Sequence, residues 1–140
     1  PERVDRLAVF QTNAHWTETQ AQRMQRRLDL DALRNRAPAR VDRLRARHDA
    51  PERLTQRLQT FVDTLPDASA RLGEVLPTLE APTLVAALDR DPLFGLDASQ
   101  ALYEALPNAR FTVLPGDTHN LPRAPLRLLA PLLTQHVLEA

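Results

Sequence analysis

Two loops of the sequence carry ionisable side chains directly after short apolar segments. Asp89 and Asp91 follow the apolar run 83–88, and His119 lies shortly after the run 111–114. If the two runs are neighbouring parallel strands, their carboxyl ends meet at the edge of the sheet where such folds bind ligands. A carboxylate there can orient an imidazole and stabilise its charged form, which suits the histidine to act as a general base. On pattern alone, a turn-forming aspartate and a solvated histidine remain alternatives.

Three short apolar runs predict the strands that would position these loops, at 7–10, 83–88 and 111–114. Apolar residues at helical spacing occupy the interval 18–78, and a helix is also predicted after the second strand and after the third. Strands that alternate with helices indicate a parallel sheet. The interval 18–78 far exceeds the dozen or so residues that a parallel crossover needs, so we expect an inserted helical subdomain.

The predicted fold class is therefore α/β, a partial parallel sheet of three strands with flanking helices and an inserted α-helical lid. We expect a core strand and lid entry at 1–14, the helical lid at 15–78, and a C-terminal core with the acid and histidine loops at 79–140. The clearest lid helix begins near Pro51, because proline loses nothing in a first helical turn. Its apolar residues form the clearest amphipathic stripe in the chain: Leu54, Leu58, Phe61, Val62 and Leu65.

Composition excludes several kinds of site. There is no cysteine, so disulfides, thiolate metal sites and cysteine nucleophiles are excluded. Formal net charge is +0, which gives no overall attraction to nucleic acid or to an anionic membrane. Residues 23–57 hold 11 Arg against five acidic residues, and we interpret them as a solvated surface, so we expect neither nucleic acid nor a membrane as partner. His48 and His136 are predicted on the surface, no metal-ligand spacing is present, and no cofactor is expected.

The chain carries neither an apolar run of membrane-spanning length nor a visible secretory signal behind Pro1. We therefore predict a cytoplasmic protein. The absence of an initiator methionine suggests a processed or partial chain.

The segment from Ala81 to His119 resembles the last third of α/β-hydrolases. In that family an apolar strand leads to Gly-Asp-x-Asp-Pro, then to a helix, and a further apolar strand leads to Pro-Gly-x-x-His. The matching motifs in this sequence are DRDP at 89–92, LPNAR at 106–110 and PGDTH at 115–119. The start of the chain, residues 1–7, resembles the end of the helix after the family's nucleophile elbow and the strand that follows. The helical block then resembles the family's lid.

This resemblance implies that Asp91 is the acid and His119 the base of a catalytic triad, with Asp89 as the reserve candidate for the acid. Leu88 stands where the family usually has glycine, and a larger side chain there could shift the turn. The chain has two serines, Ser69 and Ser99, and neither lies in a Gly-x-Ser-x-Gly turn. The nucleophile elbow and the oxyanion hole would belong to a segment before Pro1.

The resemblance implies the C-terminal portion of a serine hydrolase acting on an ester-like or related acyl substrate, inactive without its N-terminal half. Substrate contacts are predicted for residues that follow the first strand and the acid loop: Asn13, His15, Trp16 and Phe94. For Trp16 the alternative is that it packs under the lid. A strand at 7–10 with an open edge would pair with the missing half or with a second copy of the chain. The alternative is a non-catalytic interaction or assembly module built on the same fold.

Overall fold

The structure, a computed structural model, describes residues 4–138, so the predictions that concern residues 1–3 and 139–140 lie outside it. The chain divides into two compact units. We call Pro1–His15 together with Ala70–Ala140 the core unit, and Trp16–Ser69 the helical unit. Residues 70–78 fall in the core unit by this division. Within 4–138, every helix is too short or too polar to cross a lipid bilayer.

Within residues 4–138, three strands and seven α-helices follow the predicted order of strand, helical block, strand, helix, strand and helix. Their bounds are β1 (Leu7–Phe10), α1 (Glu18–Leu28), α2 (Leu30–Arg36), α3 (Pro38–Arg45), α4 (Pro51–Asp63), α5 (Leu65–Val75), β2 (Thr83–Leu88), α6 (Gly95–Ala105), β3 (Ala109–Leu114) and α7 (Leu126–Leu138). Short 3-10 helices lie at Leu76–Thr78 and Leu121–Arg123.

The sheet is parallel, with the strands in the order β1-β2-β3. β1 and β2 have the bounds that the sequence predicts. β3 begins at Ala109, two residues before the predicted start, because Ala109 and Arg110 pair with Thr83 and Leu84 of β2. The predicted fold class, a three-stranded partial parallel sheet with flanking helices and a helical insertion after the first strand, is confirmed.

The core of this unit lies on both faces of β2, whose residues are all buried. On one face Val85 packs in a cluster with Leu102 of α6, and on the other Leu88 packs in a cluster with Leu129 of α7. Alternate side chains of a strand point to opposite faces, so a central strand covered by a helix on each side is apolar throughout. β2 ends at Leu88, and the acid loop begins directly after it.

The helical unit starts at a capping box. The Thr17 hydroxyl accepts a hydrogen bond from the backbone N–H of Gln20 at 3.2 Å, and the Gln20 side chain accepts one from the backbone N–H of Thr17 at 2.9 Å. Two otherwise unpaired donors are satisfied at the start of α1. Farther along, the Gln25 side chain of α1 donates a hydrogen bond to Asp63 at the end of α4.

The buried face of α4 differs from the predicted stripe. Val62 is buried as expected, but Leu58 is 38% exposed and Phe61 is 59% exposed. Pro51 and Thr55 are buried instead. The apolar stripe of α4 is therefore only partly buried.

Candidate active site

The acid and histidine loops leave the carboxyl ends of two neighbouring strands, β2 and β3. Asp91 lies three residues beyond β2, and its side chain is 3% exposed. His119 lies beyond β3, and its side chain is 35% exposed. Asp91 Oδ2 and His119 Nδ1 are 2.8 Å apart, a hydrogen-bond distance. The structure thus brings together the two residues that the sequence singled out.

The Asp91 carboxylate accepts three hydrogen bonds within the described residues. Oδ1 accepts from the backbone N–H of Leu93 at 2.7 Å, and Oδ2 accepts from His119 and from Gln11 Nε2 at 3.0 Å. Donors on both oxygens are the partners that an ionised carboxylate takes. His119 then donates from Nδ1, and this tautomer leaves Nε2 as the proton acceptor of the ring.

Asp89, the reserve candidate for the acid, contacts the histidine loop at a different point. Its Oδ1 accepts a hydrogen bond from the backbone N–H of Gly116 at 2.8 Å, and its Oδ2 lies 3.7 Å from Arg90 Nε. The backbone N–H of Arg90 in turn donates to the carbonyl of Gly116 at 3.1 Å. Asp89 therefore fastens the two loops to each other, while Asp91 contacts the imidazole.

Leu88 is the last residue of β2, directly before the acid loop. It keeps the regular register opposite Leu114 and is fully buried. A Cβ atom built on Gly116 would lie 2.9 Å from Leu88 Cδ1, closer than real Cβ contacts come. The leucine side chain thus occupies the space that the missing side chain of Gly116 leaves.

Gln11 is a member of this cluster that the sequence analysis missed. It follows β1 directly, is 5% exposed, and its φ of 49° is the one positive value among the described non-glycine residues. Its Nε2 group donates to Asp91 Oδ2 and also to the carbonyl of Thr118 at 2.5 Å. One amide therefore joins the ends of all three strands. Its sequence position, immediately after β1 at the edge that carries the acid and histidine loops, was the available cue.

The four predicted substrate-contact residues have varied surroundings. The Asn13 side chain accepts a hydrogen bond from the backbone N–H of exposed His15 at 3.0 Å, a local turn. Half-buried Trp16 donates its backbone N–H to Ser69 Oγ at 2.8 Å. Phe94 meets His119 edge to face, with 4.9 Å between ring centroids. The Phe94 side chain thus contacts His119, the histidine that pairs with Asp91. Substrate binding by all four residues stays a prediction.

Neither serine lies in a nucleophile elbow. Ser69 is in α5 and accepts the hydrogen bond from Trp16, and Ser99 is buried inside α6 with 2% exposure. Among residues 4–138, no group of three or more His, Asp or Glu side chains is placed to hold a metal ion. His48 is exposed as predicted, whereas His136 is buried, with Nε2 3.0 Å from the carbonyl of Leu7, so its predicted surface position is wrong.

The fold recurs in solved structures of α/β-hydrolase enzymes. A 2-hydroxy-6-oxo-6-phenylhexa-2,4-dienoate hydrolase from Rhodococcus sp. strain RHA1 is 17% identical, with a TM-score of 0.68 over 98% of this chain and 56% of that one. An enol-lactonase from Burkholderia xenovorans LB400 is 19% identical, with a TM-score of 0.55 over 99% of this chain and 58% of that one. A thermophilic esterase from Thermogutta terrifontis is 19% identical, with a TM-score of 0.53 over 96% of this chain and 57% of that one.

No protein-family model matches the sequence, and no curated protein is significantly similar to it. At identities of 17 to 19%, the similarity to these solved structures shows a shared fold. The chain spans 56 to 58% of the length of the three enzymes just described. It has the fold of a part of an α/β-hydrolase, consistent with the C-terminal half of that fold.

Proposed function

We propose that this chain supplies the acid and the general base of a serine hydrolase that acts on an ester-like or related acyl substrate. The observation that carries the proposal is the 2.8 Å contact between Asp91 Oδ2 and His119 Nδ1 at the carboxyl ends of adjacent parallel strands. Burial of Asp91 at 3% side-chain exposure supports it, because a carboxylate shielded from water orients and stabilises an imidazolium more strongly.

In this proposal His119 Nε2 takes the proton of a serine hydroxyl as the oxygen attacks the acyl carbonyl, and later gives it to the leaving group. Asp91 holds the ring in the tautomer that makes Nε2 basic. The serine and the donors that stabilise the tetrahedral oxyanion would come from residues outside these 140, since no Gly-x-Ser-x-Gly turn occurs among them. Phe94, whose ring is perpendicular to the imidazole with 4.9 Å between ring centroids, would line the substrate side of the ring.

The test supplies the missing nucleophile. We would look for a Gly-x-Ser-x-Gly segment in the coding sequence upstream of the Pro1 codon, produce it joined to this chain, and measure hydrolysis of p-nitrophenyl acetate. His119→Ala and Asp91→Asn are each expected to lower kcat by a factor on the order of 10⁴, the scale found when a triad base or its orienting carboxylate is removed. His48→Ala, at an exposed histidine of the helical unit, is the matched control and should keep full activity.

Alone, the 140-residue chain is expected to show no hydrolysis above its His119→Ala variant, because both the nucleophile and the oxyanion donors are lacking. A rate in the isolated chain that depends on His119 would contradict this account of the site. The alternative of a non-catalytic assembly module would be favoured by a different result. In that case the full-length protein would bind a partner but hydrolyse no acyl substrate, with or without substitutions at Asp91 and His119.

A further inference from the structure

We propose that Gln11 is a positioning residue of this site, which fixes the Asp91 carboxylate and the backbone before His119 in the geometry that pairs them. The inference deepens the proposed function and rests on it for its catalytic meaning. It is carried by one side chain that reaches two loops. Gln11 Nε2 donates to Asp91 Oδ2 at 3.0 Å and to the carbonyl of Thr118 at 2.5 Å.

The orientation of the Gln11 amide is set by its partners. Both neighbours of the Nε2 group are acceptors, a carboxylate oxygen and a backbone carbonyl, so a flipped amide would place oxygen against oxygen twice. The remaining Oε1 atom is buried and has no hydrogen-bond partner among the described residues. Leaving a buried acceptor unpaired costs free energy. The side chain therefore holds this position although its own hydrogen-bonding capacity is incompletely used.

The backbone of Gln11 is held independently of its side chain. Its N–H donates to the carbonyl of Ala86 at 2.9 Å, which extends the β1–β2 ladder by one residue. Its φ of 49° lies in the left-handed region, where non-glycine residues are uncommon. A backbone anchored in this way gives the amide a fixed origin from which to reach across the ends of the sheet.

The effect on Asp91 follows from the freedom of a carboxylate. The torsion that rotates a carboxylate about its last bond is broad, so hydrogen bonds must set it. The Leu93 amide holds Oδ1, and Gln11 holds Oδ2 in the position that accepts from His119 Nδ1. The second bond, to Thr118, fixes the peptide that directly precedes His119. Gln11 thus constrains the acceptor and the donor of the same hydrogen bond.

The experiment measures the protonation of the His119 ring nitrogens directly and needs no enzymatic turnover. Nitrogen-15 NMR of the full 140-residue chain at about pH 8, where an ordinary imidazole is neutral, gives the ratio of the Nδ1–H to the Nε2–H tautomer of His119. Wild-type protein is expected to hold mainly the Nδ1–H form. Gln11→Met keeps the length of the side chain and removes both donated bonds, and we expect the ratio to fall about tenfold, the scale of one hydrogen bond to a charged group.

Thr83→Val is the matched control. Thr83 is as deeply buried as Gln11 but lies at the opposite end of β2, where its hydroxyl donates to the carbonyl of Ala81 at 2.9 Å. This variant loses one hydrogen bond remote from the site. Gln11→Met removes the two hydrogen bonds donated by Nε2, but it also removes the buried, unpaired Oε1 atom. The second change offsets part of the loss from the first, so the two variants should have similar unfolding midpoints. Only Gln11→Met should change the His119 ratio.

Two results would overturn the proposal. One is an unchanged His119 ratio in folded Gln11→Met, and the other is an equal fall in Thr83→Val, which would mark a general loss of stability. If Gln11→Met does not fold, the wild-type chain decides. Nuclear Overhauser contacts between the Gln11 side-chain amide protons and the His119 Nδ1 proton are then expected, and their absence rejects the role. If the chain joined to its Gly-x-Ser-x-Gly segment hydrolyses no ester while Gln11→Met still changes the tautomer ratio, the proposed function is rejected and the positioning by Gln11 stands.

Discussion

Gly116→Ala is expected to destabilise the core unit because of Leu88. A Cβ atom at position 116 would lie 2.9 Å from Leu88 Cδ1, 3.4 Å from Cδ2 and 3.5 Å from Cγ. Leu88 is fully buried and cannot swing into solvent, so the added methyl group overpacks this point at a cost of about 2 kcal/mol. The φ of Gly116 is not positive, so alanine can adopt this backbone conformation without strain. Alanine also lowers the conformational entropy of the unfolded chain, which stabilises the folded protein by roughly 0.4–1 kcal/mol. The net loss is therefore about 1–1.5 kcal/mol in the free energy of unfolding.

The sign should reverse when Leu88 is made small. In a Leu88→Ala background the contact disappears and the entropic gain remains, so Gly116→Ala should stabilise by roughly 0.5 kcal/mol. Leu88→Ala alone should cost about 2–5 kcal/mol through the cavity that it leaves. A double-mutant cycle by urea unfolding, followed by far-ultraviolet circular dichroism, measures the coupling. Gly73→Ala is the matched glycine control, because a Cβ there meets nothing within 4 Å, and it should stabilise the protein.

The reasoning is refuted if Gly116→Ala behaves like Gly73→Ala in the wild-type background. That result would mean that Leu88 yields to the new methyl group without cost. A coupling near zero in the cycle would have the same meaning, even if both single variants were destabilised.

Three further outcomes are expected. Thr17→Ala should lower the free energy of unfolding by about 1 kcal/mol in urea titrations, because the capping box at the start of α1 loses its side-chain acceptor. Asp89→Ala should cost about 1 kcal/mol through loss of the bond from the Gly116 N–H, yet leave the His119 tautomer ratio unchanged, and a changed ratio would make Asp89 part of the acid–histidine pair. The isolated chain should sediment above the mass of one copy. The reason is that, within the described residues, β1 has a strand partner on one side only, and Val4 beside it is 49% exposed. A monodisperse monomer at tens of micromolar would contradict this.

The strand framework could be predicted because it depends on local pattern, whereas the choice of Asp91 over Asp89 as the partner of His119 came from the resemblance to α/β-hydrolases. Short apolar runs bounded by polar residues predicted β1 and β2 to the residue. The two loops could be placed together because parallel strands end at the same edge of a sheet. The start of β3 was harder to predict from the sequence, because Ala109 and Arg110 belong to the strand only through their pairing with β2.

Gln11 was not identified from the sequence, because its position directly after β1 was the one available cue and a neutral amide has no chemical signature of its own. Its role depends on a positive φ and on two partners that the sequence places 80 and 107 residues away. The buried face of α4 was missed for another reason. Periodicity locates an apolar stripe but does not say which neighbour covers it. Thr55 can be buried because its hydroxyl donates locally to the carbonyl of Glu52 at 3.0 Å, so no outside partner is needed.

The wide spacing of the three strand ends along the chain has a consequence for the order of folding. Asp91 and His119 are separated by 28 residues, whereas Gln11 and Asp91 are separated by 80. Closing the longer loop costs about 0.9 kcal/mol more chain entropy, so the β2–α6–β3 segment should nucleate first and β1 should dock late. Gln11 would then be the last residue to reach the site. Mutations in β1 should mainly speed unfolding, while mutations in β2 should mainly slow folding.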